Sequence, residues 1–253
     1  MRVFLVLWAM AAACGQVDEG AYVHDTVREP VADLIRLDVP GELGNRALAE
    51  LGFVDVTAAP FGADPRGGTD STVAIQAAVD FARDHQMVCF FPPGTYKVSD
   101  TIRCVQGFYR RQHGRLSGAG NFPCVLVGSR KEAQRPRIVL ADNAAGFGDP
   151  DKPKYVVHFW ARSLEEGADK PQPNISFNQM FVGIDVAVGK GNAGAVGIRH
   201  RAAQGSGVQD CTIDATGGLT GLEGGAGSGG SHAGVTVIGG RIGMDLRQTQ
   251  PVP

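Results

Sequence analysis

The chain has 253 residues, 43% of them apolar and 20% charged, with 36 glycines and a formal charge of −2. That length supports one large or two small domains with a substantial core. The 24 lysines and arginines do not outnumber the 26 acids, which argues against an electrostatic nucleic-acid binder.

In chain order, the first element is the N-terminal "MRVFLVLWAMAAACGQ". One arginine, an apolar run and a small-residue stretch predict a secretory signal over residues 1–14, too short to span a membrane. "AAAC" before Gly15 is similar to a bacterial lipoprotein box, with Ala11 where Leu is usual, so plain cleavage and a lipid anchor at Cys14 both stay open. Either outcome places the mature protein outside the cytoplasm: secreted, periplasmic, or a lipoprotein of the bacterial outer membrane or cell surface. Residues 15–50 read as a leader with a short helix near Asn45–Leu51.

The next stretch is "FGADPRGGTDSTVAIQAAVDFARDHQ". "GGTD" supplies a turn and a helix start, with Thr69 or Asp70 as the capping oxygen. Val73, Ala74, Ala77, Ala78, Phe81 and Ala82 recur at helical spacing and predict one wide apolar face over 70–86. Then "MVCFF", "PPG" and "TYKVSDTI" read as strand, turn, strand. Further short strands are expected at 124–128, 137–141 and 154–160, with loops between. Among the cysteines, Cys104 and Cys124 flank a glycine-rich loop and form the favoured pair, since export permits disulfides. Cys89 and Cys211 read as small buried hydrophobes, and no Cys/His spacing points to zinc.

The last third repeats. "NISFNQMFVGID" (174–185), "DCTIDATGGLTGLE" (210–223) and "GVTVIGGRIGMD" (234–245) each open on a turn former, continue as an alternating strand and close on Gly, an apolar residue and an acid. Cys211 and Val235 lie 24 residues apart, and Gly221 and Gly243 lie 22 apart. The first interval is longer, with "AVGIRHRAAQGSG" read as an insertion. Strands this short, recurring this often without two-residue hairpin turns, predict an all-β solenoid of parallel strands, one coil per repeat. The register would set Ile213 over Val237 and Leu222 over Met244. An open solenoid end exposes apolar rungs and strand edges, and the amphipathic helix is placed to cover the first of them.

"FGADPRGGTDSTVAIQAAVDFA" followed by "FFPPGTYKVSDTI" resembles the opening of the pectate-lyase superfamily domain, the rhamnogalacturonase/epimerase-like group. That resemblance implies a right-handed parallel β-helix with an N-terminal capping α-helix over 51–253, incomplete at the C-terminus, and a polysaccharide substrate. The same group includes polygalacturonases, exo-β-1,3-glucanases and phage tailspikes. The Asn-Thr-Asp, Asp-Asp and Gly-His-Gly strings of polygalacturonases do not occur here, nor does the Trp-Ile-Asp-His of calcium pectate lyases.

Candidate site residues follow from the repeats. Asp185, Glu223 and Asp245 would form one outer acid ladder. Stacked carboxylates repel and call for cations, water or a metal, Ca²⁺ among them. Such acids could serve glycosidic acid/base chemistry, or stand as a solvated face beside arginines. Arg199 and Arg201 share one strand face and could hold a uronate carboxylate, or pair with the acid ladder. Trp160 with Tyr155 offers a sugar-stacking platform or packing under a loop, and His158 reads as a satisfied core or edge residue. No resident cofactor is evident. Together these features predict an exported glycoside hydrolase or polysaccharide lyase with most catalytic groups beyond Pro253. The alternative is a non-catalytic glycan-binding or adhesion module; a tailspike fits less well with a signal peptide.

Overall fold

Runs in which every second residue is aromatic, leucine or β-branched favour strands with one apolar edge, and such runs dominate the fold. The computed structural model describes residues 27–28, 39–106, 108–110, 116–117, 122–161 and 173–247. The expected signal segment, Cys14 and most of the leader lie outside the described residues.

In the first coil, a short helix α1 (Arg46–Ala49) precedes β1 (Phe53–Asp55), β2 (Arg66–Asp70) and helix α2 (Thr72–Asp84). Each of the next three coils has three strands: β3 (Val88–Phe91), β4 (Thr95–Val98) and β5 (Ile102–Val105); β6 (Val125–Gly128), β7 (Arg137–Leu140) and β8 (Lys154–Trp160); then β9 (Met180–Val182), β10 (Asp185–Ala187) and β11 (Ala195–Arg201). The last two coils run β12 (Gly207–Ala215) to β13 (Thr220–Gly225), and β14 (Ser231–Gly239) to β15 (Ile242–Asp245).

Pairing between coils is parallel and makes three faces. The first stacks β1, β3, β6, β9 and the leading parts of β12 and β14. The second stacks β2, β4, β7, β10 and the trailing parts of β12 and β14. The third stacks β5, β8, β11, β13 and β15. This is a parallel β-helix, as the repeats imply. Ile213 lies over Val237 and Leu222 over Met244, the registers set by the 24- and 22-residue intervals. The interior is a column of buried side chains, including Phe91, Tyr96, Ile138, Phe181, Ile198 and Leu222.

One repeat is placed differently from its sequence alignment. Strand β9 begins at Met180, and Asn174 sits in a single 3₁₀ turn (Pro173–Ile175). Gly183 is the bend from the first face to the second, stacked with Asp210 and Gly234, all three in the left-handed region (φ 68°, 50° and 64°). Its N–H donates to the Gln209 carbonyl at 3.0 Å. "AVGIRHR" is therefore no insertion but the third-face strand β11 of a regular coil.

Helix α2 occupies the third side of the first coil and closes the stack. The N-cap is Ser71 rather than the expected Thr69 or Asp70, and its side chain makes no cap bond; Asp70 Oδ1 just before it accepts the Thr72 N–H at 2.9 Å. The buried stripe is Ile75, Ala78, Val79, Ala82 and Arg83, whereas Val73, expected inside, is 83% exposed. Alanines nearly surround this helix, so the larger Ile75 and Val79 decide which side turns inward. Its polar side chains also cap the edge of β5: Gln76 Oε1 accepts the Arg103 N–H at 2.8 Å and Nε2 donates to the Arg103 carbonyl at 2.9 Å. Arg83 donates to the Val105 carbonyl at 3.3 Å. A side-chain amide thus completes the ladder that a strand would have completed. Gln76→Ala is expected to cost about 1 kcal/mol, lowering Tm by roughly 2–4 °C by thermal melting, because those groups turn to water.

At the other end, Ile242, Met244 and Leu246 are 41–42% exposed, with no strand beyond β15 among the described residues. All four described cysteines are buried thiols rather than the disulfide expected between Cys104 and Cys124. Those two nonetheless meet.

Candidate functional site

Because β-strand side chains alternate, the outward positions of stacked strands fall into rows. The parallel register of the third face aligns Arg103, His158, Arg199, Glu223 and Asp245 in one such row. A neighbouring row carries Trp160, paired with Val105, and Arg201, paired with Gly225. The inward side of the same strands holds Ile102, Val157, Ile198 and Leu222 at 0% exposure. Core burial thereby fixes the outward set.

The upper part of the face is an aromatic shelf. His158 stacks on Trp160 at 5.7 Å between centroids and 10° between planes, and lies against Tyr155 at 4.5 Å, tilted by 47°. Arg199 donates to the Tyr155 hydroxyl at 2.7 Å and lies over its ring at 4.9 Å. Burial, with Arg199 and Arg201 nearby, pushes the His158 imidazole down to about 3, so it is neutral at pH 7. Its Nε2 is buried without a hydrogen-bond partner among the described residues. Burial, then Arg199, lowers the Arg201 guanidinium below its usual range, and no ion-pair partner for it occurs among the described residues.

Beside the shelf, between the outer side of α2 and the third face, runs a cleft of about 690 Å³ lined by Gln76, Asp80, Asp100, Arg103, Lys154, His158 and Trp160. Lys154 pairs with Asp100 at 2.8 Å, and Asp80 with Arg83 at 2.8 Å. The shelf and the cleft share His158 and Trp160, which makes them one continuous surface.

The acid ladder is only partly assembled. Glu223 and Asp245 are adjacent rungs of the third face, with Arg199 paired to Glu223. Arg247 Nε binds Asp245 at 2.8 Å and holds that carboxylate down at about 2, ionised throughout the neutral range. Asp185 lies on the second face instead, over Arg137 in register, with Arg135 at 2.8 Å and the Thr212 N–H at 2.7 Å. Its "GID" string is the bend at Gly183, not the start of a third-face strand. Asp185→Asn is therefore expected to lower stability by about 1–3 kcal/mol in denaturant titration while leaving binding on the third face unchanged. Among the described residues, no three His, Cys, Asp or Glu side chains converge to hold a metal, so the carboxylates that the sequence offered to Ca²⁺ face arginines instead.

Arg199 and Arg201 share one face, as the strand periodicity predicts, and the coil register adds Trp160 to it. Reading His158 as a satisfied residue missed its buried, unpartnered Nε2 and its place in the row. Alternation within "KYVVHFW" was the available signal: it sets His158 and Trp160 outward together.

The stacked parallel coils define the class: a parallel β-helix domain. The family model described as "Rhamnogalacturonase A/epimerase, pectate lyase-like" matches residues 53–252. The chain belongs to that family. No curated protein matches the sequence. Among the described residues, no helix is long and apolar enough to cross a membrane.

Proposed function

We propose that this is an exported carbohydrate-active protein that binds an acidic polysaccharide along its third face and acts on it as a hydrolase or lyase. The observation that carries this reading is the shared face: rings of Tyr155, His158 and Trp160 beside the guanidiniums of Arg199 and Arg201. Flat rings stack on the apolar faces of sugars, and guanidiniums hold carboxylates through paired N–H donors. Family membership supports the substrate class, and the N-terminal apolar segment supports export, with cleavage or lipidation at Cys14 as its two routes.

A second reading, a glycan-binding module without catalysis, is favoured by one observation: both carboxylates in the row are engaged by arginines, and Asp245 is held ionised. An ionised carboxylate cannot donate the proton that a glycosidic leaving group needs. Incubating the chain with polygalacturonate and with a neutral β-glucan distinguishes the readings. Unsaturated, ultraviolet-absorbing products identify a lyase, and new reducing ends without that absorbance identify a hydrolase. Binding without either product leaves the module. Absence of binding to any acidic glycan contradicts both.

A further inference from the structure

The outward rows of the third face run from coil to coil, along the axis of the solenoid. Trp160 and Arg201 share one of them, and Arg103, His158 and Arg199 share the other. A glycan that stacks on Trp160 and reaches Arg201 therefore lies along that axis. Toward the later coils the track continues past Glu223 and Asp245. Toward the N-terminus it meets α2, because the first coil has a helix where the later coils have a third-face strand. A helix with its side chains is about 10 Å across, and α2 forms a step at the end of the sheet. Val73, 83% exposed, lines the cleft from that step together with Ala77 and Asp80. The seam beneath is closed: Gln76 binds both backbone groups of Arg103, and Arg83 binds the Val105 carbonyl.

We infer that the cleft against α2 is a blind end of the binding track, and that it takes the terminal sugar of a glycan chain rather than an internal stretch. This rests on the acidic-glycan reading, which sets the direction of the chain. The chemistry of the cleft fits a terminus. Where an internal sugar is linked onward it has a glycosidic oxygen, which only accepts hydrogen bonds. A terminal sugar has a hydroxyl at that place, which also donates. The cleft supplies carboxylate acceptors for such a donor. Arg83 holds Oδ1 of Asp80 and Lys154 holds Oδ1 of Asp100, yet 42% and 59% of the two acid side chains stay exposed, which leaves lone pairs for a ligand. Arg103 is exposed in the same cleft and has no ion-pair partner among the described residues. Its guanidinium is available to the carboxylate of the terminal acidic sugar.

Titrating the full chain with polygalacturonates of defined length measures how many protein molecules one glycan chain carries. The expected result is one per chain whatever the length, since one kind of end fits. Several per chain, rising with length, overturn this inference and leave the acidic-glycan reading standing, whereas no binding at any length overturns both. Two end-altered oligogalacturonates then probe the terminus. One has its reducing-end sugar opened to the alditol, and the other has a 4,5 double bond in place of the 4-hydroxyl of its non-reducing sugar. Binding is expected to fall for one of them; binding of both equal to that of the unaltered oligomer overturns the inference. Val73→Glu, at an exposed position, sets a carboxylate on the wall of the cleft and is expected to weaken binding roughly tenfold. Unchanged affinity overturns the assignment of the cleft.

Discussion

As pH falls below 6.5, stability is expected to drop by about 1.4 kcal/mol per unit for each deeply buried histidine, in a range where carboxylates remain ionised. His200 points inward from β11, fully buried, with its ring 5.1 Å from Phe159 and its Nε2 3.1 Å from the Gln179 carbonyl. Burial, and His232 beside it, depress its pKa from 6.5 to about 3. His158 is depressed to a similar value, and burial lowers His232 in the same direction. The unfolded chain takes up these protons first, near 6.5. The stability from the neutral rings is therefore complete above that pH and is lost as pH falls toward their folded pKa. Denaturant titrations from pH 7 down to about 4.5 measure the slope. His200→Phe keeps the ring packing and is expected to flatten the slope by about 1.4 kcal/mol per unit. A wild-type stability constant across this range would contradict the assignment.

The second large effect concerns how closely the coils approach. Gly224 follows Glu223 on the third face with φ +92°, and a Cβ there would lie 2.5 Å from the His200 carbonyl oxygen of the coil beneath. Side chains are strained in that backbone region whatever the space, and here the obstacle is backbone that holds the ladder. Gly224→Ala is expected to cost on the order of 3 kcal/mol or more, lowering Tm by roughly 6–12 °C. Gly243 supplies the comparison, since a Cβ there meets nothing within 4 Å. Gly243→Ala is expected to stay within about 0.5 kcal/mol of the parent. Equal costs at the two sites, by thermal melting, would mean that the coils do not approach as described.

The stacking itself was legible in the sequence because an interval near two dozen residues with alternating apolar positions leaves little freedom: Ile213 must meet Val237 and Leu222 must meet Met244. The fate of Asp185 was not. A glycine, an apolar residue and an acid satisfy a left-handed bend as well as a strand start, and what chooses between them is the bond from Gly183 N–H to Gln209, distant in sequence. The inward side of α2 was obscured for a related reason. Val73 fits the helical period but faces solvent, because Ile75 and Val79 fill more of the space above β3 and β5. At the site, the strand period put Arg199 and Arg201 on one face correctly, whereas Trp160 joins them through the coil register. The edge cap by Gln76 and the buried, unpartnered Nε2 of His158 depend on three-dimensional contacts that no local pattern encodes.

That the outward third face is the glycan-binding surface is tested most directly by isothermal titration of polygalacturonate oligosaccharides into the wild type, Trp160→Ala, Arg199→Ala and Asp185→Asn. Loss of a stacked ring or a charge-assisted contact of about 1.4 kcal/mol predicts roughly tenfold weaker binding for each third-face variant. Asp185→Asn, on the second face, is predicted to bind like the parent. Undiminished binding by both third-face variants, or a loss confined to Asp185→Asn, would contradict the assignment of this face.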